Sequence, residues 1–121
     1  MAQEIQINCR LVVGKGYLVH REDPGTVSVD LTGTTATGGV QSVTTTAAAL
    51  GMGSVTSAGM AFFRNTDTTN SIDIGTGTGT NFAAFSRLKP SEFGLIRLGT
   101  NAPTAKAVAS TVALQYYILA D

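Results

Sequence analysis

The chain reads as an all-β protein: one antiparallel β-sandwich of jelly-roll type, with about eight short strands spread over residues 1–121. Three observations predict this. Charged residues make up only 13% of the 121 residues, about half the usual share. The polar surface comes instead from threonine runs (Thr34-Thr35, Thr44-Thr45-Thr46, Thr68-Thr69) and 14 glycines. Threonine is stiff at χ1 and fits a pleated, half-exposed surface. Apolar residues recur at every second position in several runs bounded by turn signals. No stretch long enough for a βαβ crossover helix is visible, which disfavours parallel α/β folds.

Taken in order, Ile5, Ile7, Cys9, Leu11 and Val13 alternate with Gln6, Asn8 and Arg10, which predicts a half-buried strand. Gly14-Lys15-Gly16 breaks it, and Tyr17 to His20 resumes it. Asp23-Pro24-Gly25 is a turn, since Pro presets φ and Gly accepts a positive value. Val27, Val29 and Leu31 form the next strand, followed by a Gly/Thr loop from Thr32 to Gly39. Val40 to Thr46 is extended, and Ala47-Ala48-Ala49-Leu50 is expected to wind one helical turn before Gly51 and Gly53. Met60 to Arg64 and Ser71 to Ile74 make a hairpin about the polar turn Asn65 to Asn70. Gly75 to Thr80 has no side chain able to pack a core and is expected to be a loop. Phe82 to Leu88, Phe93 to Leu98 and Thr111 to Leu119 complete the strands, with turns at Lys89-Pro90-Ser91 and Asn101-Ala102-Pro103.

Eight basic and eight acidic residues give a net charge of zero, and neither sign forms a block that could track a phosphate backbone, so no nucleic-acid partner is expected. Sparse charge weakens colloidal repulsion, which suits life in an assembly. One cysteine excludes an internal disulfide. The opening Met1-Ala2-Gln3-Glu4 lacks the basic and apolar regions of a secretion signal. No run approaches the ~20 apolar residues of a membrane span.

No residue set points to catalysis, a cofactor or a metal. His20 is the only histidine, and a surface position on a strand explains it better than a site built with Asp23 or Asp30. Cys9 shares a face with Ile5, Ile7, Leu11 and Val13, so it is expected to be a buried hydrophobe rather than a nucleophile. Gly75 to Thr80 leads into a strand, not into the helix N-terminus that a phosphate loop requires. Asp67 and Asp73 lack calcium-loop spacing, and turn capping is the better account. Nothing in the spacing of Glu4, Glu22, Asp23, Asp30, Asp67, Asp73, Glu92 and Asp121 forces two carboxylates together for acid–base work. Thr44 to Met60, rich in small residues and Met, is either a flat contact surface or a loosely ordered connection.

Six segments carry a resemblance: Asp23-Pro24-Gly25-Thr26-Val27 with Val29-Asp30, Gly38 to Ser42, Gly59 to Asn65, Thr69 to Gly75, Leu88 to Phe93 and Leu114 to Leu119. Together they resemble a group of small tailed-phage virion proteins over most of the chain. Gly59 to Gly75 and the Lys-x-x-Glu-Phe of Lys89 to Phe93 are the most specific parts. The resemblance implies a capsid decoration or cement protein of jelly-roll type. Such a protein is made in the host cytoplasm and binds the major capsid protein at the capsid surface. It is expected to be a homo-oligomer, a trimer in the leading reading, without enzymatic activity. The alternatives are an accessory protein of the tail or head–tail junction and a receptor- or carbohydrate-binding module. Against the last stand the absence of Trp and the presence of only three Tyr.

Overall fold

Alternating apolar and polar side chains turn most of the chain into strands, and no helix among the described residues is long and apolar enough to cross a membrane. The computed structural model describes residues 3–99 and 101–121. Met1 and Ala2, the start of the polar opening, lie outside the described residues, as does Thr100. Two units result, Met1–Thr32 and Gly33–Asp121.

The first unit holds β1 (Ile5–Asn8), β2 (Leu11–Lys15), β3 (Leu18–Glu22) and β4 (Thr26–Val29). β2 and β3 pair antiparallel about Gly16-Tyr17, where Gly16 takes φ +58°, the left-handed conformation that tight hairpin turns require. β1 and β4 pair antiparallel, with Ile5 opposite Val29 and Asn8 opposite Thr26. The chain thus runs out and back as a two-stranded ribbon, interrupted at Cys9-Arg10 on one side and Asp23-Pro24-Gly25 on the other. Its interruptions and open end are tied by side chains. Gly25 N–H donates to Asp23 Oδ1 at 3.0 Å, Leu31 N–H to Glu4 Oε2 at 2.9 Å and Gln3 N–H to Asp30 Oδ1 at 3.0 Å.

The expected burial of the Ile5 to Val13 face does not occur. Cys9 is exposed, Leu11 is 53% exposed, and no described residue up to position 32 is buried. Alternation produced the strands, but two strands have no second layer to cover either face.

The second unit contains β5 (Ala36–Val43), β6 (Ala48–Ala49), β7 (Ala58–Asn65), β8 (Ile72–Thr76), β9 (Ala83–Leu88), β10 (Phe93–Arg97), β11 (Thr104–Ala107) and β12 (Val112–Ala120). They form two four-stranded sheets, ordered β10-β7-β12-β5 and β6-β11-β8-β9, with every pairing antiparallel. The pairing is nested: β5 with β12, β6 with β11, β7 with β10 and β8 with β9. Val43, Phe63, Leu114, Tyr116 and Ile118 from the first sheet meet Ile72, Ile74, Leu88, Ala105 and Ala107 from the second in one buried cluster. The molecule is therefore all-β, with an antiparallel sandwich in its second unit.

Several local expectations are corrected. Among the described residues twelve strands are present rather than about eight, because the ribbon adds four to the eight of the sandwich. The alanines expected to turn as a helix instead form β6, held by its register to β11. β5 starts at Ala36, inside the expected loop, and β11 occupies a stretch where no strand is expected. Gly75 and Thr76 belong to β8. The register of β8 against β9 shifts at Ile74/Gly75, and a Cβ on Gly75 would lie 2.0 Å from the Ala83 carbonyl oxygen, so only glycine permits the approach. Thr44 to Met60 supplies Ala47, Leu50, Val55 and Ala58 to the interior, and is thus a packed connection rather than a flat exposed surface.

One buried polar side chain anchors a corner. Asn65, fully buried, donates from Nδ2 to the carbonyls of Asn70 at 2.8 Å and Leu88 at 3.1 Å, and accepts the Asp67 N–H at 2.9 Å. Its own N–H donates to the Glu92 carbonyl at 2.9 Å. The segments around residues 59–75 and 88–93, the most specific part of the resemblance, therefore converge on one structural knot.

Candidate interaction surface

The ionisable residues are dispersed. His20 lies exposed on β3 opposite Val13. Asp67 caps its turn as expected, accepting the amides of Thr69 at 2.8 Å and of Asn70. Those two amides, Asn70 first, hold its carboxyl below the ordinary aspartate range. Asp73 does not cap a turn. It sits in β8 directly across from Arg87 of β9, which donates to it twice, at 2.6 and 3.0 Å. Glu92 accepts the Lys89 N–H at 2.7 Å, and Arg97 pairs with Asp121 at 3.2 Å. Among the described residues no group of three or more His, Cys, Asp or Glu could hold a metal ion. The Gly-rich segment ends in a single 3₁₀ turn, Gly79–Asn81, and passes into β9.

The surface holds instead a run of large apolar side chains. Doubled aromatics, Phe62-Phe63 and Tyr116-Tyr117, occur where the strand period puts one ring on each face of the sheet. Phe63 and Tyr116 face inward at 2% and 6% exposure, and Tyr116 donates its hydroxyl to the Gly51 carbonyl at 2.8 Å. Phe62 and Tyr117 face outward. Register aligns Leu95, Phe62, Tyr117 and Gly38 in one row across β10, β7, β12 and β5, and Phe93, Arg64, Gln115 and Val40 in the next. The Phe62 and Phe93 rings stack at 6.0 Å, and Tyr117 lies 6.5 Å from Phe62. Gly38 leaves room for the Tyr117 ring, whose nearest carbon would be 2.3 Å from a Cβ there. Phe93 is 65% exposed, Val40 66% and Tyr117 49%. A shallow depression of about 380 Å³ opens among Phe62, Arg64, Ser91 and Phe93.

A second apolar feature lies between β9 and β10, the edge strands on one side of the sandwich. It is a cleft of about 220 Å³ lined by Phe63, Ile74, Phe85, Leu88, Leu95 and Ile96. A third is the ribbon, where Leu11, Val12, Tyr17, Leu18 and Val19 are each more than half exposed.

These surfaces have the makings of adhesion. Aromatic rings already fixed on a sheet lose little rotamer freedom when covered. Burial then contributes roughly 25 cal/mol per Å² of apolar area removed from water. The sequence reading missed these rings, although an aromatic pair within a strand is a signal that both faces are apolar. The contribution of Phe93, Leu95 and Val40 required the register. No protein-family model, curated protein or solved structure matches the chain.

Proposed function

We propose that the chain is a structural, non-enzymatic virion protein that decorates and stabilises a tailed-phage capsid by binding between capsid subunits as a homo-oligomer. The observation that carries this reading is the exposure of large apolar side chains on both units, with Phe62, Phe93 and Tyr117 grouped on one sheet face, since grouped exposed apolar side chains mark interaction surfaces. The resemblance described above supports it, as does the dispersal of the ionisable groups. The nested strand pairing supports a jelly roll, since it is the order in which a two-stranded ribbon wraps into two Greek keys. An experimental structure lacking the pairing of β6 with β11 would remove that assignment.

The mechanism is mass action. A protein that binds only the mature lattice stabilises it by RT ln(1 + [L]/Kd), about 2.7 kcal/mol per site at a hundredfold excess over Kd. An oligomer that engages several capsid subunits at once lengthens each contact through effective concentration. The test mixes purified protein with expanded, undecorated capsids and, separately, with host cells. Saturable capsid binding and a raised capsid melting temperature are expected. Binding to cells without binding to capsids overturns the reading. That outcome favours a receptor- or carbohydrate-binding module, for which the stacked Phe62 and Phe93 rings, with Tyr117 tilted beside them, are the supporting observation.

A further inference from the structure

A strand at the edge of a sheet exposes a row of unpaired N–H and C=O groups, and soluble proteins blunt such rows with short edges, bulges or a backbone turned away. Among the described residues the two sheets of the sandwich end in β10, β5, β6 and β9. Three of these edges are blunted. β6 is two residues long, β9 leaves Phe85 unpaired where its register against β8 shifts, and β5 carries Gly39 at φ +139°. β10 has no such device. It runs Phe93-Gly94-Leu95-Ile96-Arg97 in unbroken register with β7, and its one charge is already paired with Asp121.

The hydrogen bonds at its two ends show which of its groups are free. Asn65 N–H donates to the Glu92 carbonyl, and Leu98 N–H to the Gly59 carbonyl. Hydrogen-bonded positions alternate in an antiparallel pair, so Gly94 and Ile96 bond to β7 while the main-chain groups of Phe93, Leu95 and Arg97 face away from it. Beside that free row the sandwich is open. Ile96 lies on the inward side of the strand yet is 45% exposed, at the cleft of about 220 Å³. Gly94 lines the same cleft, and a Cβ added there would meet Leu88 first, at 3.7 Å.

We propose that β10 pairs antiparallel with β10 of a second copy about a two-fold axis at Leu95, joining their four-stranded sheets edge to edge. The strand is complementary to its own reverse in this register, and that selects the occupant. Leu95 meets the partner's Leu95, and the two exchange both main-chain bonds. Phe93 meets the partner's Arg97, a guanidinium beside a ring. Gly94 meets the partner's Ile96, whose side chain enters the cleft over Phe63 and Leu88 where glycine leaves room. No like charges stand opposite one another. Moving the axis to Phe93 would run the strand into the Pro90-Ser91 turn, and moving it to Arg97 would set two guanidinium groups face to face. The contact is isologous and closes at two copies. Main-chain bonds give it affinity, and the large-against-small pairing gives it register.

The inference rests on the self-association in the proposed function but not on capsid binding, and it is tested without capsids. Full-length wild type, Leu95→Glu and Leu95→Lys are compared by light scattering after gel filtration, with the melting transition of the sandwich verifying folding. Leu95 is 41% exposed on the outer face, so neither charge enters the core. Wild type is expected to be a dimer. In each variant two like charges meet at the axis, and association should weaken by about a hundredfold or more. An equimolar mixture should restore a dimer containing one chain of each. Amide exchange at Phe93, Leu95 and Arg97 should be slow in wild type and accelerate in either variant, while Gly94 and Ile96 stay protected by β7 in all three.

A monomeric or trimeric wild type, folded variants that keep the wild-type assembly, or a mixture that stays dissociated would each overturn the proposal. So would outward amides that exchange alike in all three proteins. Wild type that binds capsids without pairing through β10 overturns this inference and leaves the decoration reading standing. Wild type that pairs yet ignores capsids does the reverse.

Discussion

The ribbon and the sandwich are written in the same alternating code and end in opposite conditions. In β12 the inward positions Val112, Leu114 and Ile118 are fully buried, because a second sheet lies over them. In β1 and β2 the inward positions Ile5, Ile7 and Val13 are only half-buried, and Leu11 is exposed. Period two specifies that a strand has a face worth covering. What covers it depends on how many layers the rest of the chain supplies.

The sharpest way to break this contrast is to delete the same kind of side chain in both places. Leu114→Ala should cost about 2–5 kcal/mol, read from urea or thermal unfolding, because a fully enclosed cavity is left behind. A loss below ~1 kcal/mol would show that the sandwich core is far looser than its burial indicates. Asn65→Ala comes next, at about 1–3 kcal/mol, because the Asn70 and Leu88 carbonyls and the Asp67 amide lose their partner. The midpoint of chemical unfolding should shift with little change in its slope.

A smaller effect of opposite sign is expected at Thr104. Its buried hydroxyl finds no hydrogen-bond partner among the described residues, so Thr104→Val should raise stability by up to ~1 kcal/mol. A lower melting temperature would reveal a partner for that hydroxyl. Leu18→Ala in the ribbon should change sandwich stability by no more than about 0.5 kcal/mol. A larger loss in a monomeric background would show that the two units unfold together.

The smallest effects concern acid. The Leu31 amide holds the Glu4 carboxyl below its ordinary range, as the Asn70 and Thr69 amides do for Asp67. A depressed pKa means that the stabilisation is present above the ordinary carboxylate value and is lost as pH falls through the lowered one. Glu4→Gln should therefore flatten the acid dependence of amide exchange at Leu31, in the ribbon. Asp67→Asn should flatten the acid limb of the sandwich melting curve. Unchanged profiles in both variants would discard these carboxylates as acid-sensitive contacts.

The legible parts of the fold were those with large residues at period two. Phe63, Ile72, Ile74, Leu114 and Ile118 announced β7, β8 and β12. The strands that went unread lack such residues. β11 is Thr-Ala-Lys-Ala, whose buried alanines give almost no hydrophobic contrast. β6 is two alanines, good helix formers held extended only by their pairing with β11. The start of β5 hides in Gly and Thr because Gly38 must lie beneath Tyr117. The candidate surface was not read from the sequence: the doubled Phe62-Phe63 and Tyr116-Tyr117 were its one local signal, and its rows exist only in the register. Cys9 was misread because its alternation was genuine and its cover was absent.

The nesting of the eight strands also governs the order of events during synthesis. β5 is made first and has its hydrogen-bonding mate in β12, and β12 also separates β5 from β7. Almost every sandwich pairing spans a long stretch of sequence, a topology associated with folding in milliseconds to seconds rather than microseconds. Until the eighth strand leaves the ribosome, β5 lacks a mate and β7 is paired along one edge only, with β10, and unpaired strand edges are where nascent chains stick to one another. The Ala36 to Ser42 stretch, with Gly38-Gly39 at its centre and Val40 as its one large apolar side chain, is a poor template for such sticking, which protects the growing chain through the interval when it is most vulnerable.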